Sequence, residues 1–122
     1  MSLEREWIRG AGPLAVMTLL EEQEMYGYEL CEALDQRSGS LLGMGQSTVY
    51  TLLYALEERG FVRTRKRKAP TGRMRKYYRL TTAGLERLRD QRGQWSRLVS
   101  ALTRLGVATD ELDQAFEAGV EP

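Results

Sequence analysis

Positive charge is concentrated in one short stretch of this 122-residue chain. Nine of the eighteen lysine and arginine residues lie at positions 63–79, and no acidic residue occurs between positions 58 and 86. Two β-prone runs, 61–65 and 75–80, flank a turn sequence at 69–72 that contains proline and glycine. This pattern predicts a β-hairpin whose tip and flanks are basic.

The net charge of the whole chain is only +1, because acidic residues collect before and after the basic stretch. A near-neutral protein with one strongly positive segment is expected to bind a polyanion. The alternative, that the charges protect a solvated strand edge, requires only a few basic residues. We therefore predict that the hairpin contacts DNA phosphates or a minor groove. The hairpin residues concerned are Arg65, Lys66, Arg67, Lys68, Arg73, Arg75 and Lys76.

Composition argues against an enzyme. Histidine is absent, and Cys31 is the single cysteine, so no disulfide can form within the chain. The sequence contains no Ser/His/Asp, CxxC, HExxH or glycine-rich phosphate-binding motif, and we expect no catalysis, metal or cofactor. No apolar run is long enough to span a bilayer and no signal-peptide core is present, so we expect no membrane association and a cytoplasmic location.

Two helices are predicted in the N-terminal part of the chain. The first begins at Pro13, since proline suits a first helical turn, and continues through an apolar run to Leu20. The second begins near Tyr26, carries an apolar face and ends at 38–39. A connection rich in serine and glycine follows.

The start of the second predicted helix, Tyr26, Gly27 and Tyr28, has two interpretations. Backbone N–H groups at a helix start bind phosphate, and glycine permits close approach, which makes these residues candidate DNA contacts. Alternatively, the glycine is needed for tight packing between helices. The sequence leaves both interpretations open.

A third helix is predicted from 46–48 to Gly60, with Ser47 or a neighbour as the N-cap. Its buried face is expected to contain Val49, Leu52, Leu53 and Leu56. Hydroxyl and amide side chains suit hydrogen bonding to phosphates and base edges, so the outward face is the candidate recognition surface. That surface comprises Gln46, Ser47, Thr48, Tyr50, Thr51 and Tyr54. The alternative is a solvated face whose tyrosines pack under the hairpin.

A long fourth helix follows the hairpin, capped by Thr81 or Thr82 and ended by Gly106. Spacings of three and four residues produce a seam that requires a partner helix, so we predict a dimer interface. The seam comprises Leu85, Leu88, Arg92, Trp95, Val99 and Leu102, and Leu98 and Leu105 widen it. A short acidic helix is predicted at 109–118, holding Leu112 and Phe116.

Three helices, a hairpin and a long helix follow the plan of a winged helix-turn-helix protein with an appended dimerisation helix. The predicted fold class is mainly α with a small β-hairpin. We expect a DNA-binding domain at residues 1–83, and a dimerisation helix with an acidic tail at residues 84–122.

Three motifs in this order resemble the PadR family of transcriptional regulators. They are MYGYEL at 25–30, STVY at 47–50 continuing to LEERGFV at 56–62, and RKYYRLTTAG at 75–84. The resemblance extends over about residues 9–90. The short C-terminal region is similar to that of the family's compact branch, which has one long dimer helix. One departure is Thr51, because the family usually has proline directly after the tyrosine of the recognition helix.

The resemblance implies a dimeric winged-helix repressor that senses phenolic or other aromatic small molecules. Trp95 in the seam and Trp7 near the N-terminus have two interpretations. Large aromatic side chains commonly anchor dimer interfaces. Alternatively, paired Trp95 side chains stack a flat effector, with Trp7 close to the site and Arg92 near an anionic group.

Two burial predictions accompany these assignments. Tyr77 and Tyr78 alternate along a strand, so one is expected in the core and the other at the surface. Cys31 is expected to be a buried thiol and not a redox switch, because Glu29 and Glu32 disfavour its ionisation.

The sequence therefore predicts a homodimeric, sequence-specific repressor of an operator with inverted repeats. Its double-stranded DNA half-sites are expected about 10 bp apart or at a multiple of that spacing. A winged-helix adaptor that binds protein and not DNA is the alternative, but an adaptor does not need the clustered basic residues. An enzyme is the third class, and no motif in the sequence favours it.

Overall fold

The computed structural model describes residues 3–107. Its elements are α1 (Arg5–Glu22), β1 (Met25–Tyr26), α2 (Gly27–Arg37), α3 (Gln46–Glu58), β2 (Val62–Lys68), β3 (Met74–Leu80) and α4 (Thr82–Arg104). The predicted winged helix-turn-helix with a long C-terminal helix is confirmed. The acidic helix predicted at 109–118 lies outside the described residues.

Helix α1 begins earlier than predicted, at Arg5, so Pro13 lies inside the helix and not in its first turn. An interior proline removes one backbone hydrogen bond, which the packing around it must offset. Gly12 is buried against α3, where a Cβ atom would lie 3.0 Å from Leu52 Cδ1. Packing against α3 therefore holds the turns before Pro13, although proline usually marks a helix start.

Helix α3 has the predicted limits but not the predicted cap. Its N-cap is Gly45, and no side chain of the described residues caps it. Ser47 lies within the first turn, where its carbonyl accepts a hydrogen bond of 2.8 Å from Thr51 Oγ1. The helix ends at Glu58 with Arg59 as its C-cap, and the predicted stop residue Gly60 follows with a φ of 77°, in the left-handed region that favours glycine.

The sheet has three antiparallel strands in the order β1-β3-β2. Strands β2 and β3 form the predicted hairpin, with Val62 opposite Leu80 at its base and Lys68 opposite Met74 near its tip. The two-residue strand β1 pairs Met25 with Tyr78 and was not predicted, since two residues show no alternation. Because β1 covers one edge, β3 is the central strand. Residues 62–80 are called the wing below.

Tyr77 and Tyr78 are both buried, so the prediction that one of them lies at the surface is wrong. Tyr78 belongs to the hydrophobic core beneath the sheet. Tyr77 faces the opposite side, where the edge of the Tyr26 ring approaches with 5.6 Å between centroids. The Arg67 guanidinium covers the Tyr77 ring at 4.0 Å. An aromatic ring and a cation thus bury a tyrosine on the face expected to be open.

The first turns of α4 are built into the same compact unit, which ends at Arg89. Thr81 caps the helix as predicted, since its Oγ1 accepts a 3.0 Å hydrogen bond from the Gly84 N–H and donates one of 2.7 Å to the Gly60 carbonyl. A Cβ atom at Gly84 would lie 2.0 Å from the carbonyl oxygen of Phe61. The helix start and the start of the wing therefore meet at a distance that only glycine allows.

Leu88 corrects the predicted dimer seam. Its side chain is 0% exposed in the single chain and belongs to the hydrophobic core shared with α1, α2 and α3. A side chain with no accessible surface has nothing left to contact a second subunit. Leu88 is thus a core residue of the winged-helix unit and not an interface residue.

Candidate nucleic-acid interface

Helix α3 separates its two faces as the sequence predicts, except at one position. Val49, Leu53 and Leu56 are buried, whereas Leu52 is half-buried. The candidate recognition residues are all exposed and lie on the other face: Gln46, Ser47, Thr48, Tyr50, Thr51 and Tyr54. Tyr54 is the most open of them, with 65% of its surface accessible. This face offers hydroxyl and amide groups without a charged side chain.

Tyr50 links α3 to the start of α2. A Cβ atom at Gly27 would lie 2.2 Å from Tyr50 Oη, so the tyrosine ring lies directly across the glycine. This contact favours the packing interpretation of Gly27 over phosphate binding, because the space in front of the glycine is already filled. It fixes α3 relative to α2, which are the two helices of the helix-turn-helix unit.

Tyr26 and Tyr28 also have neighbours within the chain. The two rings stack with 6.5 Å between centroids, and Arg75 lies over Tyr26 at 4.3 Å. Tyr28 is exposed, and hydrogen bonding to Glu32 raises the pKa of its phenol above the usual value. Tyr28 is therefore accessible to a ligand, whereas Tyr26 is half-buried within an aromatic and cationic stack.

The wing has an arginine face and a lysine face. Along β2 arginine and lysine alternate, and the register places Arg65 opposite Tyr77 and Lys66 opposite Lys76. Successive side chains of a strand point to opposite sides. The arginine face comprises Arg63, Arg65, Arg67, Arg75 and Arg79, and the lysine face comprises Lys66, Lys68 and Lys76.

Glu24 occupies part of the arginine face. Its carboxylate accepts hydrogen bonds from Arg65 Nε at 3.0 Å and Arg65 Nη2 at 2.6 Å, and a third from Arg67 Nη1 at 2.6 Å. These bonds and the nearby positive charges lower the pKa of Glu24 below its usual value, and the Glu24 carboxylate raises the pKa of Arg65. The sequence contains no signal for this cluster, because Glu24 and Arg65 are 41 residues apart.

The lysine face and the tip of the wing differ from the arginine face in their ion pairs. Lys66, Lys68 and Arg73 are exposed, and they form no ion pair with any residue in the range 3–107. Lys76 is exposed with its Nζ 5.6 Å from the centre of the Tyr78 ring. Thr64 on this face donates a 3.4 Å hydrogen bond to Glu57 of α3, so the lysine face lies on the same side of the wing as α3.

A groove lies between α1 and the first half of α3, with a volume of about 740 Å³. Ser47, Thr48 and Thr51 of the recognition surface line one wall, and Arg5 and Arg9 lie along the other. The sequence interpretation did not include these two arginines, because α1 was expected to begin at Pro13. They add positive charge beside the candidate recognition surface.

The rest of α4, from Asp90 to the last described residues, belongs to a second unit. Trp95, Leu98 and Val99 are between 45% and 47% exposed in the single chain, and Leu102 is half-buried. In the first unit, Leu85 is half-buried and Trp7 is 64% exposed. These accessible side chains are what a dimer interface or an effector site requires.

Other kinds of site have little support in the described part of the chain. Within residues 3–107, no three acidic or cysteine side chains cluster in a way that could hold a metal ion. No helix there is both long and apolar enough to cross a membrane. Cys31 is half-buried, and burial raises the pKa of its thiol, which disfavours the reactive thiolate.

Comparisons with known proteins agree with this arrangement. Residues 16–90 match the model of the transcriptional regulator PadR-like family. A PadR family transcriptional regulator from Eggerthella lenta is 30% identical with a TM-score of 0.72, over 85% of this chain and 88% of that one. A Streptococcus transcriptional regulator is 29% identical with a TM-score of 0.75, over 84% and 99%.

One similar structure contains DNA. Bacillus subtilis PadR, in complex with operator DNA, is 28% identical to this chain with a TM-score of 0.58. The match covers 65% of this chain and 45% of that protein. A protein that shares much of this fold therefore binds operator DNA.

Proposed function

The chain belongs to the PadR-like family of transcriptional regulators, and we propose that it is a homodimeric, sequence-specific DNA-binding repressor. The observation that carries the proposal is the exposed polar face of α3 beside lysines of the wing that have no ion-pair partner among the described residues. Such a regulator acts where the chromosome is, in the cytoplasm.

Base reading is assigned to α3. Its first turns present Gln46, Ser47 and Thr51, whose amide and hydroxyl groups donate and accept hydrogen bonds. The wing lies beside α3 and supplies positive charge, which suits phosphate contact or entry of a side chain into a minor groove. Specificity therefore depends mainly on α3, and affinity depends on the wing.

Dimerisation is assigned to the second half of α4. Its accessible tryptophan, leucine and valine side chains form an apolar strip that water solvates poorly, and a second copy of the chain would cover it. Two copies related by a two-fold axis present two recognition helices. The operator is then an inverted repeat with half-sites about 10 bp apart or at a multiple of that spacing.

An aromatic effector is assigned to the dimer interface, on the basis of Trp95, Arg92 and Trp7. A ligand releases DNA only if it binds more tightly to a dimer whose two recognition helices are arranged unfavourably for DNA than to the DNA-binding arrangement. The Trp7→Phe variant leaves Trp95 as the single tryptophan, since the chain contains two. We expect phenolic compounds to quench its fluorescence and that of the wild type, and to lower operator affinity. Signals that stay unquenched in both proteins across a phenolic and drug panel would refute the effector.

DNA recognition is tested by selecting bound fragments from genomic DNA with purified protein near physiological salt. We expect an inverted repeat that overlaps promoters, which supports repression. Gln46→Ala should weaken binding to that repeat, whereas Gln36→Ala, an exposed glutamine of α2, should not. Fragments without a shared motif would contradict sequence-specific DNA binding and favour the adaptor function.

A further inference from the structure

The arginine and lysine faces of the wing differ in one respect that matters for binding DNA. Arg65 and Arg67 both donate hydrogen bonds to Glu24, whose side chain is only 17% exposed. Lys66 and Lys68, the next residues in the chain, are exposed and form no ion pair with a described residue. Half of the basic run at 65–68 is therefore already paired with an anion.

We propose that Glu24 withholds Arg65 and Arg67 from DNA, so that Lys66, Lys68 and Arg73 make the non-specific phosphate contacts of the wing. The inference rests on the proposed DNA-binding function and narrows it. Glu24 is a positioning residue in this scheme: it touches no DNA, and it sets how many cations of the wing are available to phosphates.

The geometry favours arginine for the paired role. The guanidinium is planar and matches a carboxylate with two parallel hydrogen bonds, as Arg65 does through Nε and Nη2. It also stacks on aromatic rings, as Arg67 does on Tyr77 at 4.0 Å. Lysine is a flexible point charge that suits exposed phosphate contact. Along β2, arginine therefore suits pairing with Glu24, and lysine suits contact with phosphates.

A phosphate group cannot easily replace the carboxylate. Releasing both arginines would break the three charge-assisted hydrogen bonds that the Glu24 carboxylate accepts from them. Glu24 would also face the incoming phosphate as a like charge. Both effects oppose transfer of Arg65 and Arg67 from Glu24 to DNA, whereas neither applies to Lys66 or Lys68.

The consequence is a lower affinity for DNA in general. Each phosphate that the protein neutralises releases counterions, and the binding constant then falls more steeply with salt, by about 0.9 in logarithmic slope per contact. Holding two arginines back reduces non-specific binding while leaving base reading by α3 unchanged. Because phosphate contacts carry no sequence information, the affinities for operator and for random DNA fall by a similar factor, and both become less dependent on salt.

The test measures the salt dependence of binding to a random-sequence DNA duplex by fluorescence anisotropy, with the full chain. Glu24→Gln should steepen the logarithmic slope by up to about 1.8 per bound subunit, or about 3.6 for the dimer, because two arginines are released in each subunit. The triple variant Glu24→Gln/Arg65→Gln/Arg67→Gln should return to the wild-type slope. Lys66→Gln/Lys68→Gln should be shallower by about 1.8 per bound subunit.

Glu22→Gln is the matched control. It removes the same charge two residues away and breaks a different ion pair, in which Glu22 accepts a 3.0 Å hydrogen bond from Arg37 Nη2. Its slope should equal that of the wild type. A thermal unfolding scan of each variant establishes that it is folded under the binding conditions.

The proposal is overturned by a wild-type slope for Glu24→Gln, or by a triple variant shallower than wild type, since Arg65 and Arg67 would then already contact phosphates. If Glu24→Gln does not fold, the variant Lys66→Gln/Lys68→Gln tests the proposal in its place. A wild-type slope for that variant also overturns the proposal. A wild-type protein without salt-dependent duplex binding would instead reject the proposed function itself.

Discussion

The two halves of α4 differ in how far their apolar side chains are buried within the single chain. In the first half, Leu88 is fully buried within the winged-helix unit, and Gly84 meets the backbone of Phe61. In the second half, Leu98 and Val99 have almost half of their surface accessible in the single chain. One helix thus contributes to the core of its own chain at one end and leaves an apolar strip uncovered at the other.

This difference shows what a heptad pattern does and does not determine. The spacing of three and four residues places Leu88, Trp95 and Val99 on related faces of one helix. It cannot distinguish a neighbour in the same chain from a second subunit, since both bury an apolar stripe. The tertiary structure assigns Leu88 to the core, and dimerisation through the second half remains a prediction.

The largest expected difference between the halves is in unfolding. Leu88→Ala should lower the free energy of unfolding by about 2–5 kcal/mol, because it leaves a cavity in the core. The matched variant Leu98→Ala acts through association, so its cost should decrease as the protein is diluted. Urea unfolding at several protein concentrations measures both. Equal costs that do not depend on concentration would contradict the comparison.

The two glycines of α4 provide a second contrast. Gly84→Ala should lower the unfolding free energy by about 1–3 kcal/mol, because the new Cβ would lie against the Phe61 carbonyl and backbone must shift. A Cβ atom at Gly93 would lie 3.6 Å from Arg97 Nη1, an ordinary contact, so Gly93→Ala should stabilise the helix by about 0.5–1 kcal/mol. Thermal unfolding ranks the two against wild type. A destabilised Gly93→Ala would indicate close packing in the second half as well.

Association itself should respond to the second half of α4. Leu98→Ala is expected to raise the dissociation constant of the dimer at least tenfold, or about 1.4 kcal/mol, because each subunit loses apolar contact area. Leu41→Ala is the control, since Leu41 is similarly exposed but lies in the connection between α2 and α3. Sedimentation equilibrium measures both constants. An unchanged constant for Leu98→Ala would place the interface elsewhere.

The smallest expected effect concerns the two threonines near the helix ends. Thr81→Ala removes the cap and the hydrogen bond to Gly60, which should lower the unfolding free energy by about 1 kcal/mol. Thr103 Oγ1 donates to the Val99 carbonyl within an exposed turn, so Thr103→Ala should change it by less than about 0.5 kcal/mol. Urea unfolding at one protein concentration compares them, and a larger cost at Thr103 would reverse the expected order.

Much of the fold was predictable because its signals are local. Apolar periodicity located α2, α3 and α4, and the left-handed glycine after α3 marked its end. The turn at 69–72 positioned the hairpin. Errors arose where a local preference was overridden, as at Pro13, which α1 accommodates in its interior.

The candidate site was predictable in outline. Val49, Leu53 and Leu56 are buried and leave the expected face of α3 exposed, and the expected basic residues at 65–68 of β2 are exposed on both faces of the strand. The arginines at 5 and 9 beside α3 were missed, because nothing in their own sequence neighbourhood relates them to a helix forty residues away. Strand β1, the second neighbour of β3, was not predicted because a strand of two residues shows no alternation.

The sequence by itself determined the order of helices and strands, the concentration of positive charge and the resemblance to a family of DNA-binding regulators. These depend on residues close together in the chain, through helical and strand periods, turns and local charge. Only the tertiary structure decided that Glu24 holds Arg65 and Arg67, that Tyr77 is buried and that Leu88 belongs to the core. Each of these depends on contacts between residues far apart in the chain, and packing in three dimensions creates such contacts.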